Sequence, residues 1–159
     1  MCGIVGLFLK DKSLEPKLGK MLTEMLITMT DRGPDSAGIA IYSEETIGRA
    51  KMTVQSDAPE TAFKDLDTAL SEAISASVSM QVRSTHAILD VPTGSTEDVR
   101  SELTKLGIRV MSRGNNLEIY KEVGLPQDVA AQFDITTMSG SHGIGHTRMA
   151  TESAVTTMG

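Results

Sequence analysis

A nearly continuous apolar run starts at the third residue of the chain, and it limits the possible folds more than any other stretch. Residues 3–9 are all apolar or glycine and include β-branched and aromatic side chains. A short run of this composition predicts a β-strand that is buried on both faces. Cys2 immediately precedes the run, so we expect it at the head of a central strand.

Cys2 is the only cysteine in the chain, and it directly follows the initiator Met1. Because Cys is small, removal of Met1 is favoured, which would leave a thiol and a free α-amine on one residue. Free α-amines and thiols have ordinary pKa values of about 8 and about 8.5, so the amine can accept the thiol proton near neutral pH. Such a pair is a known way to activate a nucleophile. The alternative is that Cys2 is a small buried hydrophobic residue at the strand end.

The composition fits a globular protein and excludes several classes of partner. The chain has 159 residues and a net charge of −6, with no basic cluster. Binding to nucleic acid or to an anionic membrane is therefore not expected. The first apolar run is too short for a signal sequence or a membrane span. A single cysteine cannot form an internal disulfide, so we predict a cytoplasmic protein.

A metal site is not expected either. His142 and His146 are four residues apart, but the glycines between them disfavour the helix that such a histidine pair would need. We predict that this chain binds no metal ion and no cofactor.

Apolar periodicity predicts an alternation of helices and strands in the first half of the chain. Apolar residues at three- and four-residue spacing over residues 14–29 predict a helix that packs on a sheet. Gly33-Pro34 ends this helix. Residues 37–42 and 47–54 predict two strands, and a further helix is predicted to begin at Pro59.

The stretch from residue 79 to residue 133 predicts a self-contained β-α-β-β-α block, inserted in the main domain. Within it, Ser95 and Asp98 predict a capping box at the start of a helix. Residues 108–111 and 117–120 predict a hairpin, because the residues between them favour a turn.

Three short stretches together carry a family resemblance. They are Met-Cys-Gly-Ile-Val-Gly at 1–6, Asp-Arg-Gly-Pro-Asp-Ser-Ala-Gly at 31–38 and Gly-His-Thr-Arg-Met-Ala-Thr at 145–151, in a predicted closing strand. In this order they resemble the class II glutamine amidotransferases, which are N-terminal nucleophile (Ntn) hydrolases. The resemblance covers residues 1–42 and 139–151 and does not explain the block between them.

The resemblance implies an α+β fold of the Ntn type, a four-layer αββα sandwich. We expect residues 1–159 to be the N-terminal part of this domain, incomplete at the C-terminal side. The block at 79–133 would be a small α/β unit inserted in it.

The resemblance also implies roles for individual residues. Cys2 would attack the side-chain amide of glutamine, with its own α-amine as the base, giving a γ-glutamyl thioester and ammonia. Arg148 would hold the α-carboxylate of glutamine, Thr151 would add a hydrogen bond to it, and Met149 would cover the apolar stem. A guanidinium can clamp a carboxylate with two parallel hydrogen bonds, which suits Arg148.

Arg32 and Gly3 would be structural residues near the nucleophile, and the chain departs from the family pattern in two places. The family usually has an aromatic residue where this chain has Met149. It also needs a downstream Asn-Gly pair for the oxyanion hole and an Asp for the substrate amine, whereas the only asparagines here are Asn115 and Asn116. Because the loss of one oxyanion donor costs about 10²–10³ in rate, we expect residues 1–159 by themselves to be inactive or weakly active.

The resemblance implies hydrolysis of glutamine to glutamate and ammonia, which would pass to a separate synthase subunit. The chain looks most like the stand-alone amidotransferase subunits of glutamate synthase-like and N-methylglutamate synthase systems, whose synthase partners carry flavin and iron–sulfur centres. Two alternatives stay open. One is an Ntn amidohydrolase or acylase that acts on another amide, and the other is a non-catalytic regulatory or binding module in which Cys2 is inert.

Overall fold

A computed structural model describes residues 2–150 of the chain as a series of short strands and helices. The strands are β1 (Gly3–Phe8), β2 (Ser36–Tyr42), β3 (Arg49–Gln55), β4 (Ser79–Arg83), β5 (His86–Pro92), β6 (Arg109–Gly114), β7 (Leu117–Val123) and β8 (His142–Arg148). The α-helices are α1 (Leu18–Ile27), α2 (Pro59–Ala62), α3 (Leu66–Ile74), α4 (Thr96–Lys105) and α5 (Pro126–Gln132). None of the helices in this described part has the length and apolar character to span a bilayer.

The chain divides into two compact units. Unit 1 comprises Met1–Glu44 and Ile119–Gly159, and unit 2 comprises Glu45–Glu118. Each unit contains one four-stranded sheet. The predicted α+β class is confirmed for the described residues.

The sheet of unit 1 has the strand order β1-β8-β2-β7. Strand β8 is antiparallel to both of its neighbours, β1 and β2. Gly3 of β1 therefore pairs with Thr147 of β8, while Ser36 of β2 pairs with Arg148. This topology brings the beginning of the chain next to the last described strand.

Helix α1 packs against one face of this sheet. Its apolar stripe includes Leu22 and Leu26, which are completely buried, so the helical spacing read from the sequence is confirmed. Glycines in β8 allow the close packing. A Cβ added at Gly143 would lie 2.8 Å from Leu22 Cδ2, and one added at Gly145 would lie 2.8 Å from Leu26 Cδ1.

The other face of β1 is exposed, so the prediction of a strand buried on both faces is wrong. Burial alternates along β1: Val5 is buried, whereas Ile4 and Phe8 are 70% and 67% exposed. Ile144 on the adjacent strand is 44% exposed and lies on the same side, because it pairs with the exposed Gly6. We call Ile4, Phe8 and Ile144 the open face of unit 1.

Unit 2 has the element order β-α-β-β-α-β, if α2 and α3 are counted as one helical segment. Its sheet has the order β4-β5-β3-β6 with antiparallel neighbours, which is the ferredoxin-like arrangement. The buried core contains Met52, Val54, Phe63, Leu66, Leu70, Val78, Ala87, Leu89, Val91, Val99, Leu103 and Ile108.

Unit 2 and the predicted inserted block share residues 79–118 but have different boundaries. The unit starts earlier because β3 lies between β5 and β6 in its sheet. The predicted hairpin of residues 108–111 and 117–120 is wrong, because β6 pairs with β3 whereas β7 lies beside β2 in the sheet of unit 1. The predicted capping box is also wrong, because the Ser95 side chain at the N-cap of α4 makes no capping hydrogen bond.

Candidate active site

Cys2 lies immediately before β1 and is exposed. The first residue of β1, Gly3, pairs with Thr147 in the antiparallel ladder. Continuing this register by one residue places Cys2 beside Arg148. The predicted nucleophile and the predicted carboxylate ligand thus lie at the same end of one sheet. The exposure of Cys2 argues against its reading as a buried hydrophobic residue.

The two residues also lie on the same side of the sheet. Alternate residues along a strand point to the same face. Cys2 therefore shares a face with Ile4, and Arg148 shares a face with Ile144. Both residues are therefore on the same side of the sheet as the open face of unit 1.

The backbone of Arg148 is held by the turn that leads into β2. Ser36 pairs with Arg148 across the sheet, and Pro34 forms a parallel bridge to it. The N–H of Asp35 donates to the carbonyl of Arg148 at 3.1 Å. The side chain of Arg148 is partly buried, and its Nη1 atom is excluded from solvent. The second and third sequence motifs are therefore in direct contact.

Asp35 makes a further contact that sequence reasoning missed. Its Oδ2 accepts the N–H of Ala150 at 2.7 Å, and its carbonyl accepts the N–H of Gly124 at 2.9 Å. The carboxylate thereby holds the segment that contains Met149. The available signal was an Asp in a turn just after Gly33-Pro34, since Asp side chains in turns often accept backbone N–H groups.

Gly3 lies in a position that has no room for a side chain. A Cβ at this residue would lie 2.9 Å from Thr147 Oγ1 and 3.2 Å from Met29 Cβ. Thr147 is completely buried, and its hydroxyl donates to the carbonyl of Met29 at 3.4 Å. A glycine thus allows close packing next to Cys2. The predicted role of Gly3 as a structural residue near a nucleophile stays a prediction.

The structure places the other predicted site residues as follows. Arg32 ends the 3₁₀ turn Thr30–Arg32 and is exposed, directly before Gly33. Met149 is partly buried and follows Arg148. Thr151 lies outside the described residues. Their predicted roles stay predictions.

Asn115 and Asn116 lie in the segment that joins β6 to β7. The side-chain amide of Asn115 donates from Nδ2 to Glu45 Oε1 at 2.6 Å. This hydrogen bond joins the two ends of unit 2. It gives Asn115 a structural role within that unit.

The histidines of β8 are not arranged for a shared metal ion. His142 and His146 are four residues apart on a strand, which separates them by about 13 Å along its axis. The ring of His142 instead stacks on Tyr42, with centroids 4.0 Å apart. Among residues 2–150, no group of three or more His, Cys, Asp or Glu residues could hold a metal ion.

A third histidine belongs to the interior of unit 2. His86 is fully buried, and its Nδ1 lies 3.0 Å from Thr85 Oγ1. Burial, and secondly the positive charge of Arg109, lowers the pKa of His86 from 6.5 to about 4. The side chain is therefore neutral at pH 7 and packs in the interior of unit 2.

Unit 2 also contains a cleft of about 530 Å³, lined by Pro59, Glu60, Phe63, Lys64, Val82 and Ser84. Partly apolar concave pockets are common ligand sites. None of the residues of the three sequence motifs lines this cleft. The candidate active site is therefore defined by the chemistry at the end of the sheet in unit 1.

The chain is similar in sequence to known proteins. No protein-family model matches the chain. Over its whole length, the chain is 59% identical across 161 aligned positions to the glutamine amidotransferase-like protein GlxB of Rhizobium meliloti. It is 30% identical across 174 positions, and over 98% of its length, to a protein of Methanothermobacter thermautotrophicus whose name assigns it provisionally to the glutamine amidotransferases.

These relatives support a glutamine amidotransferase family for the chain. The chain spans about half the length of each, 53% of GlxB and 54% of the second protein. The similarity therefore concerns only this stretch of the relatives, and the activity of the whole protein is a proposal.

Proposed function

We propose that this protein is a class II glutamine amidotransferase of the Ntn type, with Cys2 as its nucleophile. The observation that carries the proposal is the juxtaposition of Cys2 and Arg148 at one end of the sheet in unit 1. The motif at residues 31–38, which contains Gly33, contacts the backbone of Arg148 at the same end of the sheet. Similarity to relatives named as glutamine amidotransferases supports glutamine as the substrate.

In the proposed reaction, the sulfur of Cys2 attacks the side-chain carbonyl carbon of glutamine while the α-amine of Cys2 takes the thiol proton. The carbon–nitrogen bond of the amide then breaks, and the same proton moves to the nitrogen, which leaves as ammonia. Water cleaves the thioester, which releases glutamate and restores the thiol. The chain needs no cofactor for these steps.

The neighbouring residues would orient the substrate. Arg148 would bind the α-carboxylate of glutamine through two parallel hydrogen bonds, which is a strong and directional interaction. Met149 would cover the apolar stem, and Thr151 would add a hydrogen bond to the carboxylate. Arg32 and Gly3 would support the nucleophile without contacting the substrate.

We further propose that the open face is an inner surface of a four-layer αββα sandwich. Ile4, Phe8 and Ile144 are large apolar residues exposed together, and such patches commonly mark contact surfaces. In sandwiches, the apolar faces of two sheets pack against each other about 10 Å apart. A second sheet on this face would also enclose Cys2 and Arg148.

The proposed destination of the ammonia is a separate synthase subunit with flavin and iron–sulfur centres. The support is the resemblance to glutamate synthase-like systems. The proposed compartment is the cytoplasm, because a nucleophilic thiol must stay reduced. Co-purification of the full-length protein that recovers no flavin-containing subunit would contradict the proposed partner.

Intact-mass spectrometry of the full-length protein tests the nucleophile and the substrate together. We expect Met1 to be absent, and we expect a glutamine-analogue electrophile to add once, at Cys2, unless excess glutamine protects it. The Cys2→Ala variant should gain no adduct. Retained Met1 would instead favour a non-catalytic module, and labelling that glutamine does not prevent would favour a hydrolase of another amide.

A further inference from the structure

We infer that Asp35 is a positioning residue that fixes the substrate-binding segment at the end of β8. This role depends on the proposed function, because Arg148 and Met149 are taken to contact glutamine. It extends the candidate site to a side chain that would touch neither the substrate nor Cys2.

Asp35 makes hydrogen bonds on both sides of Met149. Its N–H donates to the carbonyl of Arg148 at 3.1 Å, and its Oδ2 accepts the N–H of Ala150 at 2.7 Å. The residue between these two contacts is Met149. Two hydrogen bonds of one aspartate therefore fix the backbone on either side of Met149.

Asp35 is itself held in place by other parts of unit 1. Its carbonyl accepts the N–H of Gly124, just after β7, at 2.9 Å. The preceding residue, Pro34, bridges to Arg148. The carboxylate is thus presented from a backbone that is anchored on both sides.

The Asp35 carboxylate binds the backbone just beyond the end of β8, where the sheet supplies no hydrogen bond. Ala150 lies beyond the last residue of β8, so its N–H needs a partner outside the ladder. A hydrogen bond to an ionised carboxylate is roughly twice as strong as a neutral one. Its loss would let the segment move, which would weaken the binding of the glutamine α-carboxylate by Arg148 and so raise KM more than it lowers kcat.

Asp11 offers a matched control within the same unit. Its Oδ1 also accepts a backbone N–H, that of Ser13, at 2.9 Å, in the turn after β1. Asp11→Ala thus removes the same kind of hydrogen bond at a position outside the three motifs. A purely structural effect of carboxylate loss should appear in both alanine variants.

Steady-state glutaminase kinetics of the full-length protein test the role. For Asp35→Ala we expect the KM for glutamine to rise about tenfold or more, while kcat changes by less than about threefold. Asp35→Asn should stay within about threefold of the wild type, because Asn Oδ1 can accept the same hydrogen bond. Asp11→Ala should leave KM unchanged. An unchanged KM in folded Asp35→Ala would overturn the role.

Amide hydrogen exchange gives a second measurement that does not need activity. We expect the amides of residues 149 and 150 to exchange at least tenfold faster in Asp35→Ala, with the Gly3–Thr147 pair unaffected. If the wild type hydrolysed no glutamine, the proposed function would fail by itself. Unchanged exchange at Ala150 would then still overturn the assignment of Asp35, and faster exchange confined to this segment would support its positioning of the segment but not the binding of glutamine there.

Discussion

A Cβ atom on residue 33 would lie only 2.5 Å from the backbone nitrogen of Arg148 and 2.6 Å from the carbonyl carbon of Thr147. Gly33 has an extended backbone with φ of −166°, which any residue can adopt. A side chain is excluded at this position because there is no space for it. The atoms that it meets are backbone atoms of β8 and cannot rotate away. The glycine of the second motif thus allows the turn to lie directly on the strand that carries the third.

Gly33→Ala should therefore destabilise unit 1. We expect a loss of about 1–3 kcal/mol in the free energy of unfolding, because the methyl group forces the turn away from β8. Chemical denaturation followed by circular dichroism measures it. Gly94→Ala is the control, since a Cβ there meets no atom within 4 Å. Equal stability of the two variants would contradict the close contact.

Arg148→Lys should weaken the recognition of the α-carboxylate of glutamine. A lysine offers a point charge in place of a planar pair of donors, so we expect the KM for glutamine to rise about 10- to 100-fold with a smaller change in kcat. The comparison substrate is 4-aminobutanamide, which has the same amide and lacks the α-carboxylate. Wild type and variant should hydrolyse it at similar rates, whereas an equal loss for both substrates would show that Arg148 does not bind the carboxylate.

Protonation of His86 should make stability depend on pH. The pKa of His86 is about 4 in the folded protein, below the ordinary 6.5 expected after unfolding. Between these values the unfolded chain binds more protons, so the free energy of unfolding should fall as pH decreases from 6.5 to about 4 and level off for this group below that. Urea titrations across this range measure it. His86→Gln should remove this part of the slope, and an unchanged slope would assign it to other groups.

Arg49→Lys should destabilise unit 2. The guanidinium of Arg49 pairs with the Asp90 carboxylate and also donates to the carbonyls of Ser77 at 3.1 Å and Asp90 at 2.8 Å. A lysine cannot reach all three acceptors, so we expect a loss of about 1–2 kcal/mol in thermal or urea unfolding. Arg100→Lys, at an exposed pair with Glu97 separated by 3.7 Å, should change stability little.

Much of unit 1 could be predicted because its elements carry strong local signals. The leucines and methionines of α1 recur at helical spacing, and the strand at 37–42 is bounded by turn residues. The exposure of Ile4 and Phe8 could not be predicted, because a run of apolar residues has the same appearance whether one face or both are covered. What covers a strand is decided by distant residues.

The fold of unit 2 was harder to predict because it depends on which strands pair with one another. Strand β4 lies at the edge of its sheet and is largely exposed, and of its two alternating apolar residues only Met80 packs on the core, whereas Val82 is 51% exposed. Strands β6 and β7 are close in sequence and joined by residues that favour a turn, yet they belong to different sheets. Among the candidate site residues, Cys2 and Arg148 were predicted from their motifs, and their roles stay predictions. The contact of Asp35 with Ala150 was not found, since a hydrogen bond across 115 residues leaves no local pattern.

The hydrogen bond between Asn115 and Glu45 has a consequence for how such a protein can be rearranged. A module whose first and last residues lie close together can be inserted or removed as one piece, because a linker of a few residues can replace it. Residues 45–118 could therefore be gained, lost or exchanged during evolution as a single piece. The same property would let them be expressed by themselves as a test of autonomous folding.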